Sequence, residues 1–357
     1  MNVSAARNLA ASSAPRLIDV TAEASGADWD QFVLNRRDAS AYHLWGWRGV
    51  FERAFGHETV YLAAREHGRV AGVLPLVVFR SRVFGRFAVS LPFVNYGGVC
   101  AVDDEVAQAL VARASAVADE RRLSHVELRH VARQMPHLPA RTHKVTMRLA
   151  LGDDSGRMWD GLDRKVRNHV RKAMKSELTW RRGGAELLDR FYDVFAVNMR
   201  DLGTPVYSKR FFAEVLAAFP KTASVCVVDY GHRTVAGAIE LAHRDGLEVP
   251  WASSLREYRS HCPNYLLYWK ILEHAVDSRR SSFDFGRSTP NGGTYHFKEQ
   301  WGAQPEPLYW EYVMQGGREL PDLSPSNPKY RAAINLWTRL PVAVTRIIGP
   351  HIVRSIP

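Results

Sequence analysis

The sequence predicts an α/β (α+β) chain built from two related halves. Its 357 residues are enough for two domains of ordinary size. Strand-type and helix-type segments alternate along it, and one block recurs. His67-Gly68-Arg69-Val70-Ala71-Gly72-Val73-Leu74 matches His232-Arg233-Thr234-Val235-Ala236-Gly237-Ala238-Ile239. In both halves a strand, a tight turn and a second strand are followed by a helix and a further strand, which favours duplication over chance. The later strands carry Glu127 and Asp284 at equivalent places.

The elements follow in order. Met1 to Pro15, rich in Ala and Ser, reads as disordered and lacks the apolar run of a signal peptide. Helices are expected over 28–37 and 47–55, and strands over 59–65 and 69–79 around the turn Glu66-His67-Gly68. Residues 91–98 read as a strand ending in a glycine turn. A helix over 104–122 starts acidic and ends basic, as the helix dipole favours. Strands are expected over 125–130 and 144–149. The polar run Gly152-Asp153-Asp154-Ser155-Gly156 then reads as a linker between domains over 16–151 and 157–315. Helices over 158–175, 185–199 and 209–219 follow, then strands over 223–229, 234–241 and 247–253, a helix over 264–278, and strands over 282–285 and 308–313.

Composition is that of a folded soluble protein, 46% hydrophobic and 24% charged. Lys and Arg number 48 against 37 acids, a formal charge of +11 that favours anionic partners: phosphorylated metabolites, a glycan precursor, RNA or an anionic membrane surface, but not DNA. Cys100, Cys226 and Cys262 are far apart and odd in number, so neither a disulfide framework nor a metal site is expected, and a cytoplasmic location is.

Two features point to chemistry. In 158–175, Trp159, Leu162, Val166, Val170 and Met174 form an apolar stripe. Arg164, Arg167, Arg171 and Lys172, with Lys165 and Lys175, form a cationic face with no acid among them. Like charges so close repel unless an anion neutralises them, and phosphate suits arginine's paired donors; a bare solvated face is the plain alternative. The second feature is Phe283-Asp284-Phe285-Gly286-Arg287-Ser288, followed by Gly293-Thr294-Tyr295-His296-Phe297-Lys298-Glu299-Gln300-Trp301-Gly302. Asp284 stands near a strand's carboxyl end, where ligands meet α/β sheets, and Arg287 and Ser288 follow it there. Pro290-Asn291-Gly292-Gly293 reads as a flexible turn, and Tyr295 to Lys298 as a short extended piece. Acyl transfer to an amine needs a proton acceptor and a positive group at the developing oxyanion. Asp284 and Lys298 are the candidates; a structural ion pair between them, or between Asp284 and Arg287, is the alternative. Metalloprotease, serine-hydrolase, P-loop and dinucleotide motifs are missing from the sequence.

These residues resemble the Fem family of peptidoglycan non-ribosomal peptidyltransferases, through the acidic strand end with its glycine, the Phe297-Lys298 loop closed by Gly302, the basic helix and the doubled half. The likeness runs from about Asp28 to Val313 and is nearest to the FemAB-like proteins associated with exosortase and PEP-CTERM systems in exopolysaccharide-making bacteria. It implies tandem GNAT-like domains, each a mixed, mostly antiparallel sheet flanked by helices. It implies aminoacyl-tRNA as donor, a cell-envelope or exopolysaccharide precursor amine as acceptor, and no tightly bound cofactor. Lys298 matches the family's loop lysine, and Tyr265, Tyr295 and Phe297 are its candidate substrate-contacting aromatics. Acyl-CoA enzymes share this fold, but the loop that would grip CoA, Arg256 to Asn264, has no glycine; Arg256 and Arg259 remain as phosphate ligands. A CoA-dependent N-acyltransferase and an inactive precursor-binding scaffold are the alternatives.

The tail over 320–357 is apolar and basic. Its last stretch, 330–357, has no acid, and Pro341 and Pro350 are expected to break it into short pieces. It suits either an anionic membrane surface at the inner face or an arm packed on the body, the second being favoured.

Overall fold

The computed structural model describes residues 16–81, 84–317, 320 and 328–356. The expectation for Met1 to Pro15 therefore falls outside the described residues. In chain order the first half holds β1 (Ile18–Thr21), α1 (Gly26–Asn35), α2 (Gly46–Phe55), β2 (Glu58–Glu66), β3 (Arg69–Ser81), β4 (Gly85–Val89), β5 (Cys100–Ala101), α3 (Asp104–Glu120), β6 (His125–His130) and β7 (Ala140–Ala150). The second half holds α4 (Ser155–Gly161), α5 (Arg164–Lys175), β8 (Leu178–Gly183), α6 (Leu188–Asp201), α7 (Lys209–Ala218), β9 (Ala223–Tyr230), β10 (Arg233–His243), β11 (Gly246–Ser254), α8 (Pro263–Asp277), β12 (Ser282–Ser288), α9 (Gly293–Glu299) and β13 (Gln304–Met314). The tail adds α10 (Pro328–Trp337) and α11 (Val342–Val353).

Among the described residues one continuous sheet runs β1-β2-β3-β4-β6-β13-β7-β12-β11-β10-β9-β8, with β5 beside β3. The order is nearly palindromic. The hairpins β2–β3 and β9–β10 hold the repeated sequence block, and the parallel pairs β4–β6 and β11–β12 match each other. The other pairings are antiparallel, as the tandem GNAT-like reading requires. At the centre the halves exchange their last strands: β7 pairs with β12 of the second half, and β13 with β6 of the first. The largest apolar cluster is shared accordingly, joining Trp47, Phe51 and Phe79 to Phe191, Phe211, Phe212 and Trp251.

The parallel pair β11–β12 is short. It pairs Gly246–Glu248 with Ser282–Asp284 and then opens. Register with β7 also shifts between Asp284 and Arg287. Gly286 sits in this shift with φ +77°, and a Cβ there would lie 3.0 Å from the Val249 carbonyl oxygen and 3.1 Å from Asn95 Nδ2. Both the backbone conformation and the space call for glycine.

Several expectations are corrected: α3 ends at Glu120 with no basic residue in its last turn, and β12 runs on to Ser288, so Asp284 lies inside the strand rather than at its carboxyl end. The segment 91–98 is a buried irregular loop in which Leu91 and Phe93 take positive φ, while Gly97 N and Gly98 N donate to the Arg129 carbonyl. Its apolar character marks burial, which periodicity cannot tell from a strand. The helix over 158–175 is two, because Asp163 stops α4 and caps α5 by accepting from Lys165 N at 2.6 Å. The α5 stripe then closes with buried Ala173, and Met174 is 47% exposed. Strand β8 was hidden by its arginines; Arg181 and Arg182 pair with Asp229 and Glu240 on the neighbouring strands. Tyr295 to Lys298 is helical, within α9, rather than extended. Pro350 lies inside α11 instead of ending it.

The tail packs on the body. A Cβ on Gly349 would meet Val206 N at 2.9 Å, Val353 joins the main apolar cluster, and Arg346 Nη2 donates to Asp193 Oδ1 at 2.7 Å. These contacts hold α11 across its proline. Among the described residues no helix is long and apolar enough to cross a membrane.

Gly286→Ala forces a Cβ into a left-handed backbone and against Val249. It is expected to lower unfolding stability by about 1–2 kcal/mol or more, read from the denaturant midpoint at unchanged m-value.

Candidate active site

A cleft of about 550 Å³ lies between the halves. Its floor is the paired start of β11 and β12, from Gly246 and Ser282 to Glu248 and Asp284, and two carboxyl groups stand there, Glu248 on β11 and Asp284 on β12. Asp284 Oδ1 accepts from Thr146 Oγ1 at 2.5 Å and from Gly286 N at 2.8 Å. Its Oδ2 accepts from Tyr96 Oη at 3.1 Å and from Arg148 Nε at 3.3 Å. Glu248 Oε1 accepts from Tyr42 Oη at 2.8 Å and from Asn95 Nδ2, and Oε2 lies 3.3 Å from Tyr96 Oη. Tyr96 thus bridges the two acids, and Arg148 Nη2 also reaches its oxygen at 3.4 Å.

Every donor to these acids except Gly286 N belongs to the first half. Tyr42 comes from the single turn Ala41–His43, Asn95 and Tyr96 from the loop after β4, and Thr146 and Arg148 from the exchanged strand β7. Burial, and secondarily the neighbouring Asp284, push the Glu248 carboxyl up to about 8. Burial and the adjacent acids likewise raise the Tyr42 and Tyr96 phenols, so both stay protonated donors.

The two catalytic candidates of the sequence are close in the fold but placed differently. Asp284 lines the cleft and Lys298 does not. Lys298 Nζ is buried and donates to the carbonyls of Gly286 at 2.8 Å and Arg287 at 3.0 Å, beyond the last rung that β11 makes. Burial lowers this ammonium to about 8, partly offset by Asp284. Arg287 stacks its guanidinium 5.5 Å over Trp310 and keeps Nη1 buried and unpaired. The Ser288 hydroxyl is also buried without a partner.

The other candidates gather on α5, α8 and α9, away from the cleft. Arg164, Arg171 and Lys172 are exposed and Arg167 half-buried along α5. Tyr265 stacks on His169 of α5 at 4.4 Å and meets Phe297 at 5.3 Å. Arg256 is exposed in the turn before α8, and Tyr295 is half-buried. The first half's counterpart of Asp284 is closed off: Glu127 accepts from Arg129 Nε at 2.7 Å and from Tyr312 Oη at 3.0 Å, under an arginine stacked on Trp310. Among the described residues no cluster of His, Cys, Asp or Glu could hold a metal ion.

Glu248, Tyr96, Tyr42, Asn95, Thr146 and Arg148 escaped sequence reading. Glu248 did leave a signal, an acid inside the otherwise apolar run Leu247-Glu248-Val249.

Residues 162–299 match the family model described as acetyltransferase (GNAT) domain, from the end of α4 through α9. Among solved structures, FemX aligns with a TM-score of 0.65 at 14% identity, over 83% of this chain and 97% of its own. The chain shares the FemX fold. A tandem GNAT protein from the clavulanic acid biosynthesis pathway aligns with a TM-score of 0.54 at 12% identity, over 85% of this chain and all of its own. The C-terminal domain of a candidate lysylphosphatidylglycerol synthetase from Agrobacterium fabrum aligns at 0.55 and 13% identity, over 82% and 91%. No curated protein matches the sequence. The second half thus matches a GNAT acetyltransferase domain, and the whole chain shares the fold of a tandem GNAT protein.

The pH dependence of folding follows from Glu248. Its folded value lies above the ordinary 4.5, so between about 4.5 and 8 the native state binds the extra proton and the stability that Glu248 contributes falls as pH rises. Below about 6.5 the buried histidines His43, His57, His143 and His243, held down to about 4, act in the opposite sense, so thermal unfolding is expected to show this loss between about 6.5 and 8, and Glu248→Gln to reduce it there.

Proposed function

We propose that the protein transfers an acyl or aminoacyl group from an activated donor to an amine of an anionic cell-envelope or exopolysaccharide precursor. The observation that carries this reading is the Glu248–Tyr96–Asp284 chain at the floor of the cleft between the halves.

An acceptor amine reaches neutral pH largely as an ammonium and must lose a proton before it can attack. An α-amino group titrates at about 7.7–8.0, and a proton acceptor works best when matched to that. Glu248, held at about 8, is so matched. Tyr96 has one hydroxyl proton and touches both acids, so it donates to Asp284 while accepting from protonated Glu248. A proton taken from the ammonium can therefore pass along this chain. The freed amine nitrogen bonds to the donor's carbonyl carbon, the carbonyl–oxygen or carbonyl–sulfur bond of the donor breaks, one of the two amine protons goes to the leaving atom and the other stays on the amide nitrogen. Arg37, Arg148 and Arg244 on the cleft wall suit the precursor's negative charge.

The donor approaches from the α5–α8 side, where the cationic helix, Arg256 and the Tyr265–Phe297 pair offer charge and aromatic surface. An ester-linked aminoacyl-tRNA fits the extent of that cationic face. A thioester of CoA is favoured by a different observation: α8 begins without a side-chain cap on Asn264 N, and Lys172 sits close enough to Cys262 to act on its thiol, which places a cation at the helix start for a pyrophosphate. Lys298 serves by holding the Gly286 and Arg287 carbonyls, which fixes the strand end that follows Asp284.

Incubation with charged tRNA and with acyl-CoA separately distinguishes the donors, and transfer from neither rejects the enzyme. With the working donor, Asp284→Asn is expected to reduce kcat/KM by about a hundredfold or more, with a lower melting temperature because its amide nitrogen cannot accept from the donors around it. The wild-type rate should rise with pH through about 8 as the acceptor amine loses its proton, and Glu248→Gln should lower that rate by about a hundredfold or more. Lys298→Met should lower both the melting temperature and kcat, and an unchanged melting temperature with abolished transfer would instead give Lys298 a direct part in the chemistry.

A further inference from the structure

Helix α11 has two faces. Thr345, Gly349 and Val353 recur four residues apart, are buried, and seat the helix on the body. On the opposite side Ala343, Ile347, His351 and Arg354 recur at helical spacing and are exposed. Ile347 is 70% and its neighbour Ile348 42% exposed, and Leu336 on α10 is 65% exposed. Arg339, at the bend between the two helices, is also exposed. From Leu323 to the last residue the sequence has no Asp or Glu, but it has Lys329, Arg331, Arg339, Arg346 and Arg354. Arg346 is committed to Asp193, whereas Arg339 and Arg354 make no salt bridge among the described residues.

Single exposed apolar side chains are ordinary. Adjacent exposed isoleucines on one helix face, flanked by unpaired cations and with no acid in the segment, are the composition of a helix that lies in a bilayer interface. Charge decides among occupants. A second copy of this chain carries +11 and the same acid-free tail, so pairing through this face sets cation against cation. A nucleic acid offers phosphates but no apolar phase for Ile347 and Ile348. An anionic bilayer offers both.

We propose that the outer face of α11, with the α10–α11 bend, docks on an anionic lipid bilayer. Ile347 and Ile348 enter the headgroup layer, and Arg339 and Arg354 meet lipid phosphates on either side of them. The apolar area is small, so docking is reversible, needs anionic lipid and weakens with salt. The inference is independent of the transfer chemistry.

Co-sedimentation of the full chain with vesicles tests it. Vesicles of phosphatidylcholine alone should not bind the protein, and vesicles with about a third phosphatidylglycerol should, with release in about 1 M salt, where the screening length falls to about 3 Å. The variant Ile347→Asp/Ile348→Asp should lose about tenfold or more of the binding. Arg339→Glu should lose several-fold. Both should unfold at the wild-type temperature, since the altered side chains are exposed. Failure of the wild type to bind anionic vesicles, equal binding to neutral ones, or undiminished binding by both variants overturns the proposal. So does a dimer in light scattering that the double variant abolishes, which assigns the face to a second copy.

Discussion

The exchange of β7 and β13 across the centre of the sheet is the constraint on which the rest depends. Each half ends in a strand that cannot pair fully within its own sheet and instead completes the other. This converts two sheets into one and fuses their apolar clusters. It also carries Thr146 and Arg148 to within bonding distance of Asp284. Had β7 stayed beside β6, Asp284 would face the cleft without those two donors, a buried acid at high cost.

The same exchange explains why the duplicated halves give their matching acids unequal surroundings. Glu127 and Asp284 are counterparts, but their partners differ in kind. Arg129, two residues along on the same strand, neutralises Glu127 locally. Asp284 has Gly286 at that position, which gives only a backbone N–H and leaves the acid to be completed from the other half. Replacing an arginine by a glycine at one repeat position therefore opens one site and leaves the other closed. Gly286 also lets the strand turn away from β11, and Lys298 stabilises the turn by taking the two carbonyls that follow.

How much was readable varied with the range of the interaction. The repeat, helix α3 with its acidic first turn and the acid inside β12 were legible because each rests on local pattern. The break between α4 and α5 was also local, an Asp163 cap, but a continuous apolar stripe hid it. The buried loop over 91–98 was not legible, since its apolar residues satisfy core packing without any period. Consequently Asn95 and Tyr96, which depend on that loop, could not be assigned to the site.

The sequence by itself determined the fold class, the duplication, the cationic face of α5 and the correspondence of Asp284 with Glu127. These follow from spacing, composition and charge within short windows. Only the tertiary structure decided that Glu248 joins Asp284, that phenols of the first half hold both, and that Lys298 supports the strand end from outside the cleft. The reason is physical: hydrogen bonds between segments far apart in the chain leave no periodic trace in either segment. Desolvation, which moves Glu248 to about 8, exists only once the halves have closed over it.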